Sequence, residues 1–128
     1  MAIVPLGFMR SETNEHMKEG KRKGYGPNMA GPVTYAWFYE RVKYGGVWDY
    51  KTQSRSLENF GNFHYGAVGT AAGIPDSILL RAAGCAQSAH QSLTTSAGSC
   101  LGNAPYGDDP KDQFRIKQGI DYAKQHGF

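Results

Sequence analysis

Three short stretches hold the residues best suited to chemistry. In 60–66, FGNFHYG, His64 follows Asn62, a residue type that caps helices. If Asn62 caps a helix over about 63–72, His64 stands in its first turn, where the positive helix end disfavours imidazolium and keeps the ring neutral. A neutral imidazole is a ready general base. The plainer role is a histidine bonded to a backbone carbonyl between aromatic neighbours. In 107–113, GDDPKDQ, Asp109 and Asp112 suit a helix N-terminus, whereas capping does not account for Asp108. Such clustered acids can serve catalysis, but without a defined loop they are a weak cation site. In 48–51, WDYK, Lys51 can stabilise charge on a phosphorane and Tyr50 can stack on a base, with Asp49 beside them. The alternative leaves Asp49 and Lys51 on the surface and Trp48 in the core. Glu12 and His16, four residues apart, form either an acid and base pair facing a cleft or an ordinary surface pair.

Other chemistries lack their signatures. No GxSxG, HExxH, P-loop or dinucleotide fingerprint occurs, and there is no CxxC pair or zinc spacing. No metal or cofactor is therefore expected. Cys85 and Cys100 leave open a disulfide, which would point to an oxidising compartment, or two free thiols.

The elements that must position these residues read as helices. The first is expected over about 8–22. A glycine- and proline-rich loop, 24–32, precedes a second helix over 33–44 that begins at Pro32. Its apolar face carries Tyr35, Phe38 and Val42, widened by Trp37 and Tyr39. An irregular segment, 45–60, leaves room for a small β element near 47–52. The helix expected after Asn62 carries Gly66, Gly69 and Gly73, whose recurrence suggests a close-packing ridge. A fourth helix over 76–93 and a loop over 94–107 lead to the clearest helix. There Asp109 is the N-cap, Pro110 the first residue, and Ile116, Ile120 and Ala123 the buried stripe. The expected fold is mainly α: one compact domain, 1–128, of about five helices with glycine-rich loops.

Composition sets the outer bounds. With 128 residues, 40% hydrophobic and 20% charged, the chain suits one folded domain, and no apolar run is long enough to span a bilayer. Membrane insertion is not expected. The net charge of +3 arises wholly within residues 1–60, densest at Lys18, Lys21, Arg22 and Lys23. That permits a polyanionic partner without demanding one.

The segments FMRSE, WFYERVKYGGVWDYK, NFHYGAVGTAAGIPDSILLRAAG and YGDDPKDQFRIKQGIDY resemble the polymorphic toxin type 44 domain (bacterial toxin 44) over roughly 8–123. The resemblance implies a C-terminal effector of Rhs-type and other secreted bacterial proteins, used against competing cells and paired with an immunity protein. The family is described as a predicted RNase. The implied site draws on His64, Tyr65, Gly66, Asp108, Asp109, Asp112, Glu12 and the Asp49 to Lys51 stretch.

The leading expectation is a monomeric endoribonuclease without metal: His64 as general base, Glu12 or Asp109 as acidic partner, and Lys51 facing the phosphorane. Asp49, Tyr50, Asn62, Tyr65 and Asp112 would bind substrate. The alternative is a peptidoglycan-cleaving, lysozyme-like hydrolase pairing Glu12 with Asp108 or Asp109 across about 5–10 Å. The expected destination is the target cell's cytosol for the first and its periplasm for the second. A third class is a binding module without turnover.

Overall fold

The computed structural model describes residues 6–54, 57–90 and 108–128, together with 102, 104 and 106; the side chains of 6–9, 51, 52 and 87–90 lie outside that description. Five long helices and one short turn follow in order: α1 (Leu6–Lys23), α2 (Pro32–Val42), α3 (Tyr50–Gln53), α4 (Glu58–Ala71), α5 (Asp76–His90) and α6 (Pro110–Gln125). The mainly α architecture matches the sequence pattern. No strand occurs among the described residues, and 47–52 turns into α3 instead of a β element.

Helix α4 is the centre of the fold. Phe60, His64, Ala67, Val68 and Ala71 are all buried; α1, α3, α5 and α6 pack around the helix, and Phe38 of α2 reaches it at Tyr65 and Gly69. Met17, Phe38, Leu79, Ile116 and Ile120 complete the core from the other four helices. The contact with α6 is close because glycines meet it from both sides. A Cβ on Gly66 would collide with the Ile116 carbonyl, and one on Gly119 with the Phe63 carbonyl. Any larger residue would push the two backbones apart.

The expected glycine ridge is therefore divided. Gly66 faces α6, Gly69 faces Leu79 and Phe38, and Gly73 lies beyond the helix at φ +90° in the turn to α5. Gly84 does not break α5.

The predicted start of α4 also needs correction. The helix begins at Glu58, one turn before the expected cap, so Asn62 is an interior residue and His64 lies in the second turn. Buried Asn62 gives its amide proton to Asp112 Oδ1 at 3.0 Å instead of capping a helix. The α6 terminus is as read: Asp109 is the N-cap, its carboxylate accepts from the Lys111 amide at 2.8 Å, and Pro110 follows. Tyr39, assigned to the buried face of α2, is 62% exposed, while Thr34 is buried there and donates to the Lys23 carbonyl. Cys85 is disulfide-bonded. Cys100, His90 when read as a side chain, and nearly all of the 94–107 loop fall outside the described residues.

Candidate active site

His64 projects from α4 toward α1 and meets His16 there. Nδ1 of His16 and Nε2 of His64 share a hydrogen bond of 2.7 Å, and the rings stand edge to face. The i, i+4 spacing that puts Glu12 and His16 on one side of α1 thus serves a contact 48 residues away. Trp48 stacks on His16 at 4.4 Å, and Trp48, Tyr50 and Phe60 surround His64 with their rings.

Burial, not the helix end, keeps these imidazoles neutral. His64 has no exposed surface, and desolvation, followed by the nearby His16, pulls it down to about 3. Half-buried His16 is also lowered, first by desolvation and further by Arg41, with Glu12 acting in the opposite direction. Among the described residues Nδ1 of His64 has no hydrogen-bond partner, and it lies among aromatic rings.

Two groups flank the pair. Tyr50 donates its hydroxyl to Glu12 Oε1 at 2.9 Å; burial first, and then Glu12, raises the phenol's pKa and keeps it protonated. Arg41 lies over the Trp48 ring at 5.3 Å and also reaches Glu19 at 3.5 Å. Helix α1 carries Arg10, Lys18, Lys21, Arg22 and Lys23 against three glutamates, but the charges acting on His16 are those of Glu12, Glu19 and Glu15 against Arg41.

The other candidates gather elsewhere. A cleft of about 900 Å³ runs between α2, α3, α4 and α5 to the start of α6. Asp49, Tyr50, Asn62, Tyr65, Asp109 and Asp112 line it, whereas His64, Glu12 and Asp108 do not. Asp49 accepts from the Gly45 amide at 2.8 Å, and Tyr65 donates to the Leu79 carbonyl at 2.7 Å. Burial raises the Tyr65 pKa, so it remains a donor. Asp108 is buried beneath the cleft. Its two oxygens accept from the Asp109 amide and Gln113 Nε2, both at 2.8 Å, which explains the aspartate that capping did not. The Lys51 side chain lies outside the description. No group of three or more potential metal ligands occurs among the described residues.

Sequence reasoning had His16 only as half of a local pair with Glu12. Its spacing on α1 was the available signal; the contact with His64 required the fold. Arg41 carried no signal beyond its place beside the aromatic run.

The described residues thus form a small helical domain around a histidine pair, one ring buried and the other half-buried. Residues 55–125 match the model of bacterial toxin 44, and the chain belongs to this family of bacterial polymorphic toxin domains. The match contains His64 and the acidic turn, while Glu12, His16, Arg41 and Trp48 precede it. No curated protein and no solved structure matches the chain. A toxin domain of this kind is delivered to target cells. No helix among the described residues is long and apolar enough to cross a membrane.

Proposed function

We propose that the domain is a metal-independent endoribonuclease in which His16 is the base that meets substrate and His64 is its buried partner. The supporting observation is the 2.7 Å contact between the half-exposed His16 and the fully buried His64. With His16 Nδ1–H donating to His64 Nε2, the remaining His16 nitrogen, Nε2, carries a lone pair available to a ribose 2′-hydroxyl. The proton passes to His16 as the 2′-oxygen attacks phosphorus. The bond to the 5′-oxygen breaks, that oxygen takes a proton from water, and a 2′,3′-cyclic phosphate remains. Glu12 offsets the imidazolium charge that forms on His16. Arg41 faces the phosphorane.

This keeps the acidic partner expected from sequence and moves direct proton transfer from His64 to His16. Exposure favours it: the half-buried His16 ring can meet a substrate that the enclosed His64 cannot, and Arg41, over the Trp48 ring, brings a cation to the same place. The carboxylate-pair alternative draws less support, because Asp108 is enclosed and Glu12 is absent from the described lining of the cleft.

Cytosolic expression of wild type, His16→Ala and His64→Gln tests the reading, with RNA integrity followed in the dying cells. Cleaved RNA with wild type and intact RNA with both folded variants is the expected result. Intact RNA in cells killed by the wild type removes the proposal, and lysis only after export turns it toward cell-wall cleavage.

A further inference from the structure

A second hollow in the surface belongs to neither the histidine pair nor the cleft. It measures about 360 Å³, lies between the first turn of α4 and the start of α6, and is lined by Asn59, Pro110, Lys111, Phe114 and Arg115. Pro110 and Phe114 stand four residues apart on α6, as do Lys111 and Arg115, so all four share one side of that helix. A lone exposed aromatic ring is ordinary on a protein surface. Phe114 is 57% exposed but not alone: the Arg115 guanidinium lies 5.6 Å from its ring centre, and Asn59 lines the same hollow from α4.

The charges here are sorted by side. Among the described residues, which include all eleven Asp and Glu of the chain, no carboxylate forms an ion pair with Lys111 or Arg115. Arg115 donates to the uncharged Gln118 Oε1 at 3.0 Å. The acids nearest in sequence, Glu58, Asp109 and Asp112, line the cleft instead; the Lys111 amide holds Asp109, and Asn62 holds Asp112. Both cations of the hollow therefore keep their charge for a ligand.

We propose that this hollow is a one-nucleotide subsite for single-stranded RNA. A base stacks on Phe114, the Asn59 amide meets the base edge, and Lys111 and Arg115 take the neighbouring phosphates. Unstacked bases are recognised by aromatic rings and edge hydrogen bonds, with cations along the backbone. An amide supplies both donor and acceptor, as the mixed edge of a base requires. The volume is at the small end for ligand sites and suits one nucleotide. Asn59 precedes His64 by five residues, about 7.5 Å along α4 and about 140° around it, so the subsite grips the strand away from the scissile bond. The assignment rests on the nuclease reading for the strand being RNA.

The probe is a fluorescein-labelled 2′-O-methyl octaribonucleotide, which lacks the 2′-hydroxyl nucleophile and stays intact, with binding followed by anisotropy. It is compared with an octamer of the same backbone without bases and with an octaglutamate peptide. The strand with bases should bind saturably and about fivefold or more tighter than the abasic one. Phe114→Ala should abolish that preference and Phe114→Trp should retain it. Lys111→Gln and Arg115→Gln should each reduce the slope of log affinity against log salt by about 0.7. All three residues lie outside the buried core, so the helical circular dichroism signal should be retained. Absence of binding, equal binding of the abasic strand or the peptide, or wild-type affinity in Phe114→Ala would overturn the proposal. Because the probe cannot be cleaved, a failure to bind it and a failure to cleave RNA are separate results.

Discussion

The two sides of α4 solve opposite problems. Toward α1, His64 is enclosed among aromatic rings and, among the described residues, makes one hydrogen bond, to His16. Toward α2 and α5 the same helix presents Glu58, Asn62 and Tyr65 to a broad cleft whose acids, Asp49, Asp109 and Asp112, are held by hydrogen bonds. Isolation keeps an imidazole neutral, whereas hydrogen bonds fix the acids of the open cleft. Trp48 and Tyr50 belong to both sides, each lining the cleft and packing against His64.

The largest effect should come from breaking the histidine side. His16→Ala removes the proposed base, and loss of general-base catalysis typically costs 10²–10⁴ in rate. Cleavage of RNA by purified protein should fall by about that factor with the fold intact. His64→Gln should lose about as much if the pair works as a unit. A loss confined to His64→Gln would mean that His16 is not the group in contact with substrate.

The same pair should govern acid stability. The folded-state pKa of each histidine lies below its ordinary value, and for His64 it is about 3. Between there and about 6.5 the unfolded chain binds more protons, so stability is full above that range and falls as pH drops through it. Within that range the His64 contribution falls by about 1 kcal/mol per pH unit. Denaturant unfolding at pH 7 and pH 5 should therefore show a smaller difference for His64→Gln than for wild type. An identical difference would mean that His64 is not held neutral by burial.

On the cleft side the comparable test is Asn62→Ala, which leaves Asp112 without the amide donor at 3.0 Å. Removing one partner of a buried polar pair costs about 1–3 kcal/mol. The loss should appear in unfolding free energy and, unlike that of His64→Gln, should not diminish toward pH 5. A variant as stable as wild type would show that the amide does not hold α4 to α6.

Local sequence carried what local physics decides. Helix α6 was legible because Asp109, Pro110 and the Ile116, Ile120, Ala123 stripe all act within a few turns of their own helix. Asn62 misled for the converse reason: a good cap by type, it is retained by a carboxylate 50 positions away. That distant bond concealed the true start of α4 and gave His64 a helix-end environment it does not have. His64 was legible as a candidate, but its partner lies on another helix, and burial, the cause of its neutrality, depends on the assembled rings. Asp108 looked catalytic because its partners, Gln113 and the Asp109 amide, were visible only once the chain turned.

Tyr50 should give the smallest effect and the sharpest test of whether the two sides communicate. Tyr50→Phe keeps the ring that packs at 5.0 Å from His64 and removes only the hydroxyl donated to Glu12. The lost bond is worth about 1 kcal/mol, so both stability and cleavage rate should change modestly, by less than about tenfold in rate. The informative readout is the acid limb of the pH profile for RNA cleavage. Glu12 already acts to raise the His16 pKa against desolvation. Without the phenol's hydrogen bond, more of its charge is available to imidazolium, so the acid limb should move to higher pH. The direction separates two roles for Glu12: a carboxylate coupled to the base moves that limb upward, whereas one serving only to anchor Tyr50 lowers the rate without moving it.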